Sequence, residues 1–263
     1  MPRADTRHDR DFPYWLVLAC ALGLWFLYRI AVDALYLQIL RTLLNGAWVT
    51  FYVTVISFFC ACLLGIGLAL MSRSGSIVVR QAARFWVEIV RGIPILVLLL
   101  YVAFVLAPGL VSLWNWLAGP FGLEPAGTRD FALIWRAVLA LVIAYSAFLA
   151  EVFRAGLSSV DHGQIEAAQS LGLKPWMRFR HIVWPQALRT ILPPLGNDFI
   201  AMVKDSSLVS VLGVLDITQL GKVTAAGNFR YFETYNVVAL LYLTMTVGLS
   251  LALRGLERRL RRR

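Results

Sequence analysis

The sequence predicts an all-α, polytopic membrane protein with six transmembrane helices. Of its 263 residues, 59% are hydrophobic and only 15% are charged, and the mean hydropathy is +0.71. Soluble domains have about half apolar and about a quarter charged residues, and a soluble fold of this length has no interior large enough for the surplus. Several charge-free runs are long enough to cross a bilayer as a helix. The composition therefore excludes an ordinary cytosolic enzyme and a disordered chain.

The six spans are predicted from where the charges are absent or few. Four runs contain no charged residue: Phe12–Tyr28, Thr42–Ser72, Gly92–Leu123 and Thr234–Leu253. Two further spans are interrupted by charge, and these are Phe131–Phe153, with Arg136 and Glu151, and Ile191–Leu215, with Asp198, Lys204 and Asp205. The first run begins like a secretory signal but continues through Tyr28 without a small-residue cleavage site, so we interpret it as a retained signal anchor.

The distribution of basic residues predicts that both termini are cytoplasmic. With the N-terminus inside, 18 of the 25 Lys and Arg fall on the inner side, as the positive-inside rule requires. These are Arg3, Arg7, Arg10, Arg73, Arg80, Arg84, Arg91, Arg154, Lys174, Arg178, Arg180, Arg189, Arg254, Arg258, Arg259, Arg261, Arg262 and Arg263. The same asymmetry accounts for the net charge of +10, so we expect no nucleic-acid partner.

The longest inner segment, from Arg154 to Arg189, is predicted to hold two short helices joined by a glycine turn. Asp161 is placed to cap the first helix, with Gln164 three residues on. Gly172 suits the left-handed residue that ends a helix, and Lys174-Pro175 restarts the chain, because proline is favoured at a first helical position.

The second short helix carries an apolar stripe of Trp176, Phe179 and Val183, and Pro185 marks its end or a kink. A rigid element of this kind suits a mechanical contact with a soluble partner, in which Glu166 would anchor the loop by charge-assisted hydrogen bonds. An interfacial amphipathic loop without a partner is the alternative that physics alone leaves open.

The spacing within this segment resembles the EAA loop of bacterial ABC importer permeases. The matching positions are Glu166, Ala167, Ala168, Gly172, Ile182 and Pro185, with Leu171 and Leu173 beside the glycine. Further similarity lies at residues 45–50, 85–94, 150–156, 197–200 and 204–210. Together these segments resemble the polar amino-acid branch of the family, which contains the histidine, glutamine, glutamate and arginine importers.

The resemblance implies a domain organisation and a set of partners. Residues 42–255 would form the five-helix importer core, with a coupling loop at about 158–186. Residues 1–41 would be a cytoplasmic tail with an extra signal-anchor helix, and residues 256–263 a basic cytoplasmic tail. Such permeases work as homo- or heterodimers in the bacterial inner membrane, above an ATPase dimer that binds ATP and Mg²⁺. A substrate-binding protein outside the membrane delivers the amino acid.

The residues themselves agree with a permease that is not an enzyme. The sequence has no G-x-x-x-x-G-K-[ST] phosphate loop, so we expect no cofactor on this chain. His8, His162 and His181 are scattered, and Cys20, Cys60 and Cys62 form no disulfide framework, so we expect no metal or catalytic site. An ATPase-independent channel or secondary transporter is the main alternative, and a membrane anchor or sensor is a second. Neither accounts for the EAA spacing.

Polar groups within spans are expensive and mark candidate pathway residues. Glu151 either meets the substrate or pairs with Arg154 one turn on. Asn197 and Asp198 either line the pathway or hydrogen-bond neighbouring helices. Lys204 and Asp205 either serve the pathway at a broken helix or neutralise each other, since the following Ser206 and Ser207 compete for backbone groups.

Overall fold

A computed structural model describes residues 14–261, and within them every regular element is a helix. The α-helices are α1 (Tyr14–Val32), α2 (Ala34–Met71), α3 (Ile77–Gly92), α4 (Ile95–Tyr101), α5 (Ala107–Ala118), α6 (Leu133–Ser158), α7 (His162–Ser170), α8 (Pro175–Arg178), α9 (Trp184–Asp205), α10 (Ile217–Asn228) and α11 (Tyr231–Arg261). Two π-helical turns, Val102–Leu106 and Phe179–Val183, join α4 to α5 and α8 to α9. Two 3₁₀ segments, Gly119–Phe121 and Ser206–Leu212, follow α5 and α9.

Four helices among the described residues are long and apolar enough to cross a membrane. They cover Ala34–Met71, Ile95–Phe121, Leu133–Ser158 and Tyr231–Arg258, and they match the second, third, fourth and sixth predicted spans. The fifth predicted span coincides with α9 and the 3₁₀ segment after it, which are more polar. The first predicted span overlaps α1, but Phe12 and the basic residues before it lie outside the described residues. The structure therefore supports four of the six spans directly.

The helix α6 is the centre of the bundle. Of the 18-residue apolar stretch in α6, 67% is buried inside the bundle, against 11% of the corresponding stretch in α11. The closest neighbour is α2, where a Cβ at Gly65 would lie 3.0 Å from the Cβ of Leu149. Small residues allow helices to approach this closely in a membrane, and Val53, Ala61 and Leu141 fill the core around that contact.

A second apolar cluster ties the start of α2 to α10 and α11. Tyr36, Ile39 and Leu43 of α2 are buried against Ile217 and Val237. The boundary predicted at residue 42 therefore falls inside a continuous helix that packs on the core along its whole length. At the other end, α11 runs through Arg261, so the predicted basic tail begins as a continuation of that helix.

Only Asp33 separates α1 from α2. Its carboxylate accepts a hydrogen bond from the backbone N–H of Leu35 at 3.0 Å and lies 3.5 Å from the guanidinium of Arg29. The same guanidinium lies 5.3 Å from the ring centroid of Tyr36. These contacts fix the end of α1 to the start of α2.

Candidate functional site

The segment predicted as a coupling loop begins where α6 ends. Ser159 closes α6 by donating to the carbonyl of Gly156 at 2.8 Å, and Asp161 caps α7 by accepting from the N–H of Gly163 at 2.6 Å. The predicted cap is thus confirmed. Gln164 does not complete a capping box; its side-chain oxygen accepts instead from the amide of Gln186 at 2.6 Å, which ties the start of α7 to α9.

Gly172 ends α7 as predicted. Its φ is +74°, the left-handed region that glycine enters without a steric penalty. The N–H of Leu173 donates to the carbonyl of Ala168 at 3.1 Å and the N–H of Gly172 to that of Gln169 at 2.9 Å. This pair of bonds is the Schellman arrangement, which satisfies carbonyls that the helix end would leave unpaired. The turn is therefore fully determined by local sequence.

The second half of the loop restarts at Pro175, the first residue of α8. Pro185 does not end the helix. A π-helical turn precedes it, in which the N–H of Trp184 donates to the carbonyl of Phe179, and α9 continues beyond. The ring centroid of Phe179 lies 5.9 Å from the ring centroids of both Trp176 and Trp184. These three rings form an aromatic cluster that stiffens the junction of α8 and α9.

Two features hold the loop rigidly under the bundle. Between its halves, Arg178 donates to the side-chain oxygen of Gln169 at 3.1 Å, and Ala168 is buried. At its root, α6 and α9 cross so closely that a Cβ on Gly156 would lie 2.2 Å from Cγ1 of Ile191. A displacement of the loop is therefore transmitted to both helices.

The loop presents a compact exposed surface. Glu166, Ala167, Gly172 and Pro185 are exposed, Leu173 and Ile182 are half-buried, and the side chain of Leu171 is 81% exposed. Among the described residues the carboxylate of Glu166 has no hydrogen-bond or ion-pair partner, so the anchoring contact predicted with a soluble partner stays a prediction. An exposed leucine and an unpaired carboxylate in the same short segment are both available to another chain.

Glu151 pairs with Arg154, one of the two alternatives that its spacing left open. Nε of Arg154 lies 3.1 Å from Oε2 of Glu151 and 3.2 Å from Oε1, and Nη2 also contacts Oε2. Both residues line a cavity of about 410 Å³ between the helix α3 and the ends of α2 and α6 that lie nearest the coupling loop. We call it the inner cavity.

The four pathway candidates on α9 have different surroundings. Asn197 and Lys204 are exposed, and Asp198 and Asp205 are half-buried. Oδ2 of Asp205 accepts a hydrogen bond from the hydroxyl of Tyr145 on α6 at 2.7 Å. No ion pair joins Lys204 to Asp205 within the part of the chain that the structure describes, so the two do not neutralise each other directly. The helix does break here as predicted, because α9 ends at Asp205.

The sequence analysis missed one buried acid. Asp216 is 0% exposed; Oδ1 caps α10 by accepting from the N–H of Gln219 at 2.8 Å, and Oδ2 accepts from the hydroxyl of Tyr242 at 3.1 Å. A Cβ on Gly46 of α2 would lie 2.7 Å from the backbone carbon of Asp216, so this cap touches α2 directly. The spacing of Asp216 and Gln219 is the capping-box spacing and could have revealed it.

Arg136, which the sequence marks only as a charge interrupting a span, is a buried cation without a carboxylate partner among the described residues. It donates through Nε to the carbonyl of Phe131 at 2.8 Å and through Nη1 to that of Ala103 at 3.1 Å. Nη2 contacts the carbonyl of Thr128. Three backbone carbonyls thus replace a counter-ion, and they fix the loop before α6 to α4 and α5.

Comparisons with known proteins agree with this architecture. Residues 61–263 match the family described as binding-protein-dependent transport system inner membrane component. The chain is 35% identical to the probable amino-acid permease protein YxeN of Bacillus subtilis (strain 168) over 80% of this chain and 87% of that one. It is 33% identical to the glutamine transport system permease protein GlnP of Escherichia coli (strain K12), over 83% and 93%.

A solved structure extends the likeness to the fold. The crystal structure of an amino acid ABC transporter with histidines superposes with a TM-score of 0.71 at 34% identity, over 85% of this chain and 96% of that one. The methionine transporter MetNI, in an inward-facing form, has the same fold at 21% identity and a TM-score of 0.64. The chain therefore belongs to the binding-protein-dependent transport family of inner membrane components, and it is a multi-pass permease subunit of an ABC importer for amino acids.

Proposed function

We propose that this permease moves polar amino acids inward by alternating access, driven by a separate ATPase that binds ATP and Mg²⁺. The observation that carries the proposal is the surface of the coupling loop, where Glu166 is unpaired and Leu171 is 81% exposed on a rigid scaffold. A few residues at the centre of a contact carry most of the binding energy between proteins, and burial of an exposed apolar side chain is favourable. The glutamine permease among its relatives supports a polar substrate.

The mechanism follows from how the loop is joined to the bundle. Closure of an ATPase dimer would draw together the coupling loops of two permease subunits, which are identical or similar. Because α6 and α9 leave no space between Gly156 and Ile191, each loop moves with both of its helices. Binding of ATP by the partner thereby shifts the population between inward-open and outward-open states, and a binding protein on the outer side supplies the amino acid.

The partner contact is tested by co-purification. Glu166→Lys and Leu171→Asp change exposed side chains without a partner in the described chain, so both variants should reach normal membrane levels. We expect both to lose retention of the ATPase and amino-acid uptake. Glu124→Lys is the matched control, because it reverses an exposed carboxylate outside the loop. Normal retention in both loop variants would refute the coupling assignment and favour an interfacial loop.

We infer that the substrate pathway passes the polar face of α9. Asp198 is half-buried, and among the described residues its carboxylate has no hydrogen-bond or ion-pair partner, which is costly at membrane depth unless the group faces water or substrate. Asn197 lies beside it, and Oδ1 of Asp205 is left unpaired while Tyr145 holds Oδ2. Lys204 is exposed on the same segment.

Two substitutions separate pathway roles from structural ones. Asp198→Asn should slow uptake while assembly with the ATPase stays normal; unchanged uptake would remove Asp198 from the pathway. Glu151→Gln breaks the pair with Arg154. Slower uptake by an assembled complex would assign Glu151 to the pathway, whereas loss of assembly would show that the pair only anchors α6.

The same proposal places both termini and the coupling loop in the cytoplasm of a bacterium. Single cysteines introduced as Glu166→Cys and Arg258→Cys, in a background without Cys20, Cys60 and Cys62, should resist an impermeant thiol reagent in intact cells. They should react after the membrane is opened. Strong labelling of either position from outside would overturn the topology.

A further inference from the structure

The inner cavity is unusually basic for a site at the edge of a membrane core. Its walls carry four arginines and two glutamates, which are Arg73, Arg84, Arg91, Arg154, Glu88 and Glu151. Only one ion pair forms among them, between Arg154 and Glu151. Arg73, Arg84 and Arg91 have no carboxylate of the described residues within 4.0 Å. Like charges gathered in a cavity repel one another, so an anionic occupant would stabilise this arrangement.

Two of the three unpaired guanidinium groups are held in place by neutral partners. Nη1 of Arg73 donates to the hydroxyl of Ser158 at 2.9 Å, and the guanidinium carbon of Arg91 lies 5.8 Å from the ring centroid of Phe148. These contacts position the side chains without supplying a negative charge, and with the two glutamates the cavity walls keep a net charge of +2. Glu88 stands three residues before Arg91, but the pair expected from that spacing does not form.

The helix α3 places this charge beside a surface suited to lipid. Ala83, Val87 and Val90 are buried on the core side. Val78, Phe85 and Ile89 are exposed on another side, as in helices that lie in a membrane interface. By the helical period, Arg84, Glu88 and Arg91 form a stripe between these two sides. A charged headgroup in the cavity would thus have its acyl chains next to exposed apolar side chains.

We propose that the inner cavity binds the phosphate of an anionic phospholipid from the leaflet on the side of the coupling loop, through Arg84, Arg91 and Arg73. Basic pockets between membrane helices are suited to such headgroups, and guanidinium groups match phosphate oxygens. The bound lipid would also brace the coupling loop, because Arg73 contacts Ser158 at the end of α6. The cavity wall contains no residue of α9, along which we propose the substrate pathway, and of the pathway candidates it contains only Glu151.

The test measures lipid binding to the full-length permease by native mass spectrometry. Purified protein is titrated with phosphatidylglycerol and with phosphatidylcholine that has the same acyl chains. We expect a site selective for phosphatidylglycerol, with affinity lower by about fivefold for Arg84→Gln and for Arg91→Gln, and by about 25-fold for the double variant. Glu88→Gln should bind more tightly, since it removes a negative charge from the same wall.

Controls distinguish this site from general attraction to a basic protein. The double variant Arg254→Gln and Arg258→Gln removes two exposed charges of α11 and should leave the affinity within about twofold. Arg84→Lys, which keeps the charge, should retain most of the binding, so its loss together with normal folding would argue against an electrostatic site. A thermal unfolding curve for each variant checks folding.

Three outcomes would overturn the proposal. Equal binding of the two lipids would exclude a headgroup site, and an equal loss in the α11 control would show nonspecific attraction. Displacement of phosphatidylglycerol by inorganic phosphate at millimolar concentration would identify a free oxyanion as the ligand. None of these measurements involves the ATPase or uptake, so their failure is distinguishable from failure of the proposed transport function.

Discussion

Replacing Gly172 by valine is the sharpest perturbation of the coupling loop. Gly172 has a φ of +74°, and a Cβ built on it meets nothing within 4 Å. The substitution therefore causes no collision inside the chain. Its cost comes from the left-handed backbone, which is about 1–2 kcal/mol for a residue with a Cβ and highest for a β-branched one.

That cost should not unfold the protein. Native proteins are stable by about 5–15 kcal/mol, and the affected turn is exposed beneath the bundle. The interface is more sensitive, because the new side chain stands beside Leu171 on the surface that we assign to the ATPase. We therefore expect Gly172→Val to give normal membrane levels, weak or absent ATPase retention, and lost uptake.

The assay is co-purification of the ATPase together with radiolabelled uptake. Gly75→Val is the matched control, because a Cβ there also meets nothing within 4 Å and its φ is not in the left-handed region. Gly172→Asn separates strain from bulk, since asparagine tolerates the left-handed region. If Gly172→Val retained the ATPase and transported normally, the turn would not be part of the contact. If its membrane level collapsed, the turn would be a determinant of folding.

Three further substitutions test the packing that supports the site. Gly156→Ala should lower the free energy of unfolding by roughly 1–3 kcal/mol through overpacking against Ile191, seen as a lower unfolding temperature. The same substitution should cost less in an Ile191→Ala background, which lacks the colliding Cγ1; no loss would contradict the close crossing. Arg136→Met should leave buried carbonyls without donors and destabilise by about 1–3 kcal/mol for each one not reached by water, measured by thermal unfolding, and an unchanged curve would refute the clamp. Asp216→Ala should cost at least about 1 kcal/mol for the lost cap, with faster amide exchange in α10; protection equal to the unchanged chain would show that the cap is dispensable.

The features that the sequence predicts well depend on neighbours in the chain. Asp161 caps α7, Gly172 ends it and Pro175 begins α8, because each effect acts within about four residues. The four apolar spans are predicted for the same reason, since their length and composition are local properties. The cap at Asp216 also follows from a local pattern, because Gln219 stands three residues on. The sequence therefore contains the information needed to predict it.

Contacts between distant helices could not be predicted in this way. The hydroxyl of Tyr145 reaches Asp205 across 60 positions, and no pattern in either helix identifies the other. Glu166 illustrates the converse. Its spacing suggested an anchoring contact with a partner protein. Only the fold, in which α7 packs against α8 and the π-helical turn Phe179–Val183, shows that its side chain is exposed and has no partner among the described residues.

The two π-helical turns show how one local cause can have two consequences. Each turn ends two residues before a proline, Pro108 or Pro185, which lacks an N–H and would clash with the carbonyl four residues earlier. The wider turn removes the clash but leaves one carbonyl without either of its usual donors, on Ala103 in the first turn and on Arg180 in the second. Such a group needs another partner when it is buried.

In the first turn the partner comes from the bundle, because Nη1 of Arg136 donates to the carbonyl of Ala103 at 3.1 Å. This explains why a buried cation is tolerated there without a carboxylate. In the second turn Arg180 is exposed, and no side chain of the described residues donates to its carbonyl. The same proline chemistry thus fastens the turn between α4 and α5 to α6 at one place, and at the other leaves a carbonyl without a side-chain donor in the loop that we assign to the ATPase contact.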